Sequence, residues 1–387
     1  MEPIIKSMLD DDLYKFTMCQ AVISKFPAAK AKYEFINRGD AKFTQGFLRR
    51  LKYSLADLST LRMSKSEILF LLDECPFLRK PFIEWLDYYR YDLSDLSIRL
   101  SDEGQLSVTI VGPWYRTILW EVKLMALISE AYFADIKYSE SDVCRIAALK
   151  AHQISEKGLQ VIDFGTRRRF SHRVHDLVLD TMHTCLAGTS NLSMAMKYGL
   201  PVVGTMAHEW IMAHAAQAGY LAANHSALVD WEDVYKKDLS VALTDTYTSD
   251  VFFNGTAFRA PSFDGLRQDS GDPIAFIDKA IEFYNRHCID PLSKKIVFSD
   301  SLDVNKAEEI AAYCKGKINC IFGIGTNLTN DMRLVKPLNM VIKMTAFAPD
   351  GMLWHPTVKL SDDPGKHTGY YDEVDRCKSL LSISSGD

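Results

Sequence analysis

VIDFGTRRRF, residues 161–170, sets an apolar run against three consecutive arginines. Val161, Ile162 and Phe164 read as a short buried strand. Gly165-Thr166 ends it, and Arg167, Arg168 and Arg169 follow. Arginine recognises carboxylate or phosphate through a planar fork of donors. Three of them at a strand end, in a chain of formal net charge −5, point to a local anion site rather than a basic surface. A solvated turn explains an isolated run as well. The recurrence of the same grammar as far as residue 346 decides between the two.

Seven further runs resemble the first: TCLAGTS (184–190), PVVGTMA (201–207), SVALTDT (240–246), FDGLRQD (263–269), KIVFSD (295–300), NCIFGIG (319–325) and MVIKMTA (340–346). Helix-length segments such as FSHRVHDLVLDTM and DPIAFIDKAIEFYNRH separate most of them. Such alternation is the pattern of a parallel α/β sheet. Eight runs fit an irregular (β/α)8-type barrel more simply than an open doubly wound sheet. The barrel is expected over 141–350. Residues 1–140 mix strand-like pieces (AKYEFINRG, QLSVTIVG) with helical ones and a long helix from about Pro113 to Ile136. This reads as an N-terminal α+β domain, completed by a tail, 351–387, that packs back on it.

The 387 residues are 47% hydrophobic and 25% charged, an ordinary folded protein. A pI near 6.1 and no extended Lys/Arg stripe argue against nucleic acid as a partner. Eight scattered cysteines without a CxxC pair indicate reduced thiols rather than a disulfide framework or zinc site. No apolar stretch approaches the roughly 18 residues of a membrane helix, and the N-terminus has no signal pattern. The expected location is cytoplasmic, with no membrane contact.

In a barrel of this type the loops after the strands build the active site. Here those ends read FGTRRR, GTSN, GTMAHEW, TDTYTSD, RQDSGD, SDS, GIGTN and KMT. Glycine beside Ser or Thr lets backbone N–H groups approach an anion. It recurs at Gly188-Thr189, Gly204-Thr205 and Gly325-Thr326, the last after the seventh run, where barrel enzymes often hold phosphate. With Arg167–Arg169 and Lys343, these turns imply a multiply phosphorylated ligand. There is no GxxxxGK[ST] loop, so any ATP must be held by other means. On an extended segment Arg267 and Asp269 project to one face, suited to a carboxylate clamp beside a hydroxyl or Mg²⁺ ligand. His208 follows a strand end at the start of a helix and is a candidate nucleophile or acid/base. His214 misses the HExxH spacing, which argues against a zinc peptidase.

DDDLYKFTM (10–18), YEFINRG (33–39), DFGTRRR (163–169), GTSN (188–191), GTMAHEW (204–210), TDTYTSDVFF (244–253), RQDSGDP (267–273) and GIGTNLTND (323–331) together resemble the nicotinate phosphoribosyltransferases. The resemblance runs from residue 10 to KLSDDPGKHTG at 359–369. It implies joining of nicotinate to 5-phosphoribosyl-1-pyrophosphate in NAD biosynthesis, coupled to ATP hydrolysis with Mg²⁺ and without a tightly bound organic cofactor. His208 is then the phosphohistidine. Tyr14 stacks on the pyridine ring from the partner subunit of a homodimer, and Thr205 and Arg267 contact nicotinate. Gly323, Gly325 and Thr326 hold the ribose 5-phosphate, with Ser190 also in the substrate site. Arg168 lies near the pyridine or pyrophosphate, and Asp269 near the ribose hydroxyls or Mg²⁺. Met206 stands where related nicotinamide-using enzymes place an aspartate, which favours the acid. A quinolinate-using enzyme, a sugar-phosphate aldolase with Lys343 as Schiff base, and a binding protein without turnover are the alternatives.

Overall fold

The computed structural model describes residues 3–255, 262–332 and 335–383. Two sheets organise the chain. The first is antiparallel, in the order β11-β10-β1-β3-β2, built from β1 (Lys30–Asn37), β2 (Leu96–Leu100), β3 (Leu106–Pro113), β10 (Met340–Ala348) and β11 (His355–Pro356). The second is parallel, in the order β5-β4-β9-β8-β7-β6. It comprises β4 (Val161–Asp163), β5 (Gly188–Thr189), β6 (Val241–Leu243), β7 (Gly265–Gln268), β8 (Lys295–Phe298) and β9 (Asn319–Ile324).

The parallel sheet curls into the irregular barrel. Thr189 bridges Val202, and the Thr205 hydroxyl donates to the Val241 carbonyl at 3.2 Å. Segment 201–205 therefore spans the gap between β5 and β6. The strands are short and mostly apolar, with polar residues gathered toward their ends, as expected where helices cover the outer face.

The eighth run lies elsewhere than expected. MVIKMTA belongs to β10, which pairs antiparallel with β1 from Lys30↔Ala348 to Asn37↔Met340 across a bulge at Lys32/Tyr33. An apolar run of this length fits either sheet, and pairing with β1 buries its inward face at Met340, Ile342 and Met344. The tail also divides. His355–Pro356 joins the antiparallel sheet, whereas Leu360 bonds the Thr246 carbonyl and Asp362 bonds Ser249 over the barrel mouth.

One continuous core joins the two sheets. Phe26, Trp114, Trp210, His214 and Phe347 meet edge-on or stacked at centroid distances of 4.6–6.1 Å. Among the described residues, no helix is long and apolar enough to cross a membrane, and no disulfide forms.

Candidate active site

The strand ends open on a cleft of about 690 Å³ lined by Phe164, Arg167, Arg168, Arg267, Ser299, Gly323, Gly325 and Thr326 among others. An inner pocket of about 50 Å³ adjoins it, with Arg167 and Arg267 forming walls of both. Its other walls include Tyr14, Glu121, His208, Asp269 and Lys343. Phe164 can lie against β9 because residue 323 is glycine: a Cβ there would sit 2.3 Å from the ring.

His208 opens helix His208–Ala218. Its Nε2 lies 3.0 Å from Asp269 Oδ2 and its Nδ1 3.0 Å from Thr246 Oγ1. An ionised carboxylate can only accept, so Asp269 places the proton on Nε2 and leaves the Nδ1 lone pair facing the Thr246 hydroxyl. Burial, with Lys359 adding to it, pushes His208 down to about 4 against the opposing Asp245 and Asp269. The imidazole is therefore neutral at neutral pH. Burial alone would raise Asp269, but Arg267 and the His208 hydrogen bond hold it well below the usual carboxylate range.

Arg267 donates to Asp269 Oδ1 and to Ser299 Oγ, both at 2.9 Å. Its guanidinium carbon lies 5.9 Å from the centre of the Phe164 ring. Lys343 reaches the pocket from β10, and burial, Lys359 and Arg167 push it down to about 8. His208, Asp245 and Asp269 bring their ligand atoms within 4.8 Å of one another. Asp245 is fully buried and accepts from Ser270 at 2.5 Å through Oδ2. Its Oδ1 has no hydrogen-bond partner. Two carboxylates with an orphaned oxygen fit a hard cation such as Mg²⁺.

The three arginines separate. Arg169 is fully buried and makes a bidentate pair with Asp10, both distances 2.7 Å. Arg168 lines the cleft but not the inner pocket. Burial with Arg167 and Arg38 nearby pushes it down to about 10, still protonated at neutral pH. Arg167 takes the junction of the two cavities.

Ser190 and Thr205 line neither cavity. Ser190 is buried and donates to Asp12 Oδ1 at 2.7 Å, and the Thr205 hydroxyl is spent on Val241. Tyr14 enters the pocket from the chain's own helix Leu13–Lys25. Residues that sequence reasoning did not single out complete the site: Phe164, Thr246, Asp245, Lys359 and the buried set Lys15, Glu121 and Glu209. TDTYTSD was marked as a strand end, which could have pointed to Asp245 and Thr246.

The Nicotinate phosphoribosyltransferase (NAPRTase) family profile matches residues 159–383, and its N-terminal domain profile matches 9–129. The chain belongs to this family. A nicotinate phosphoribosyltransferase of Chromohalobacter salexigens is 44% identical over 98% of this chain and 99% of its own length. One from Desulforapulum autotrophicum is 44% identical over the same shares. The crystal structure of the Porphyromonas gingivalis nicotinate phosphoribosyltransferase superposes with a TM-score of 0.96 at 41% identity, covering 98% of this chain and all of that one. The Vibrio cholerae structure gives 0.92 at 32% identity, covering 99% and 94%. The protein is a nicotinate phosphoribosyltransferase of NAD biosynthesis, so the aldolase and binding-protein alternatives fall away.

Proposed function

We propose that transfer of the phosphoribosyl group to nicotinate is coupled to ATP hydrolysis through phosphorylation of His208 at Nδ1. The observation that carries this reading is the Asp269–His208–Thr246 alignment in the inner pocket, with the imidazole held neutral. The Nδ1 lone pair attacks the γ-phosphorus, and an N–P bond forms as the bond to the bridging oxygen of ADP breaks. Asp269 holds the Nε2 proton and offsets the positive charge that the ring acquires. Water later hydrolyses the phosphohistidine.

For the transfer itself, the pyridine ring lies between Tyr14 and Phe164 with its carboxylate on Arg267. Gly323, Gly325 and Thr326 hold the 5-phosphate at the end of β9, and Arg168 adds positive charge along the cleft. Arg167, at the junction of the cavities, faces the place where the ring nitrogen meets C1 and pyrophosphate departs. Displacement at C1 develops oxocarbenium character, so positioning and cations on the leaving group supply most of the catalysis. Mg²⁺ would be held by Asp245 and Asp269 and would neutralise phosphate charge. Arg267, with Met206 in place of an acid, supports nicotinate over nicotinamide as the substrate.

The test is incubation with γ-labelled ATP, with and without nicotinate and phosphoribosyl pyrophosphate, while assaying pyrophosphate release. Acid-labile, base-stable label on the wild type and none on His208→Ala is the expected outcome. Label retained by the variant would place the phosphate elsewhere.

A further inference from the structure

Arg167 is long and flexible, yet it stands where two cavities meet. Its carboxylate partner is Glu121 Oε1 at 3.5 Å, longer than a hydrogen bond. An ion pair of that length fixes where the guanidinium sits without consuming its donors, which suits a group that must grip an incoming anion. Glu121 itself is 8% exposed, on helix Trp120–Phe133, nearly all of which is buried. A carboxylate in such a place is costly unless compensated.

The compensation comes from Lys15, which is fully buried and 2.5 Å from Glu121 Oε2. Lys15 also contacts Glu209 Oε1, the residue after His208. Glu209 Oε2 accepts from the Tyr33 hydroxyl at 2.5 Å, and Tyr33 accepts from Trp114 Nε1 at 2.8 Å. A closed chain of charge thus runs from the arginine at the cavity junction, through the N-terminal domain, to the helix that carries His208. Stability alone gives little reason for it, because apolar residues of similar volume usually replace buried ion pairs at no loss. Its two ends, both beside reacting groups, do give a reason.

We infer that Glu121 is a positioning residue for pyrophosphate displacement: it holds Arg167 at the junction of the two cavities, and Lys15 holds Glu121. The inference rests on the reading of Arg167 as the cation facing the leaving group, and the experiment separates the two. Pyrophosphate release is measured in single turnovers at saturating nicotinate and phosphoribosyl pyrophosphate for Glu121→Gln, Arg167→Lys and the double variant. Steady-state KM for both substrates is measured alongside.

Each single variant is expected to slow release about ten-fold, with KM for nicotinate within about two-fold of wild type, the pattern of a lost transition-state contact. The double variant should be no slower than Arg167→Lys alone, because both changes remove one effect. Losses that multiply to about a hundred-fold would show that Glu121 acts independently of Arg167 and would overturn the inference. An unchanged rate in Arg167→Lys would sink the reading of Arg167 instead. Should Glu121→Gln fail to fold, Glu121→Asp keeps a buried negative charge but draws it back from Arg167 and Lys15 alike; the same slowing is expected, and a wild-type rate overturns the inference.

Discussion

The barrel mouth and the N-terminal domain meet in one pocket but contribute different things. The mouth presents polar groups at and just beyond the strand ends: His208 against Asp269, Arg267 against Ser299, and the Gly323–Thr326 turn. The N-terminal domain contributes buried ionisable side chains: Lys15, Glu121 and the three aspartates Asp10, Asp11 and Asp12. Each aspartate is spoken for. Asp10 clamps Arg169, Asp11 lies 3.6 Å from Lys123, and Asp12 accepts from Ser190. On the proposed mechanism the reactive groups belong to the barrel, and the groups that pair with Arg167 and Arg169 belong to the domain beside it.

That division is broken most severely by His208→Ala. If the barrel supplies the reactive group, labelling from ATP disappears entirely while slow, ATP-independent transfer persists, since Arg267, Tyr14 and the phosphate turn are untouched. Loss of both activities together would mean that His208 also organises the pocket.

Next in size is a change in the scaffold. Asp10→Asn leaves Arg169 buried with much of its compensating charge removed, because Glu130 stands 3.9 Å away. Removing one partner of a buried pair costs about 3–5 kcal/mol. Urea unfolding should show a loss of that size, and a loss below about 1 kcal/mol would mean that the pair does not anchor the arginine turn.

Arg267→Lys tests the mouth at a smaller scale. A point charge replaces a planar fork, and a lost charge-assisted hydrogen bond is worth about 1.5–3 kcal/mol. KM for nicotinate should rise about ten- to a hundred-fold, while that for phosphoribosyl pyrophosphate changes little. Equal effects on the two substrates would remove Arg267 from the carboxylate.

The same division explains what could be read from the sequence. The strand ends are legible because a barrel puts its chemistry there, and the structure brings His208, Arg267, Asp269 and the GIGTN turn to the walls of two adjoining cavities. Three adjacent arginines were not separable, because a turn sends neighbours in different directions: Arg169 inward to Asp10, Arg167 to the cavity junction. Nothing in DDD at 10–12 announces burial, since acids are seldom fully buried, yet all three are buried. Only folding brings Asp10 to Arg169, which is 159 positions away in the chain. Ser190 also follows a strand end, and its hydroxyl turns back to Asp12. MVIKMTA was read into the barrel because an apolar run does not declare whether its neighbours are parallel.

Lys343 is where the two regions touch, and it offers the finest test. It belongs to β10 of the N-terminal sheet, yet it faces His208's pocket and is pushed down to about 8 by burial, Lys359 and Arg167. The unfolded chain keeps the ordinary lysine value of 10.5. Below pH 8 the lysine is charged in both states, and the folded state bears the cost of that charge. Between pH 8 and 10.5 the unfolded chain binds more protons, so folded stability from this group rises with pH. Lys343→Met should therefore stabilise the ligand-free protein by about 1–2 kcal/mol at pH 7. That gain should shrink as pH rises from 8 to 10.5, leaving only the difference in packing. The same variant should bind phosphorylated substrate less well, because the cost Lys343 carries in the empty pocket is recovered when an anion arrives. A variant less stable than wild type at pH 7 would mean that Glu121 and Asp269 already compensate Lys343 in full, and that the N-terminal sheet supplies the pocket with packing rather than with charge held ready for an anion.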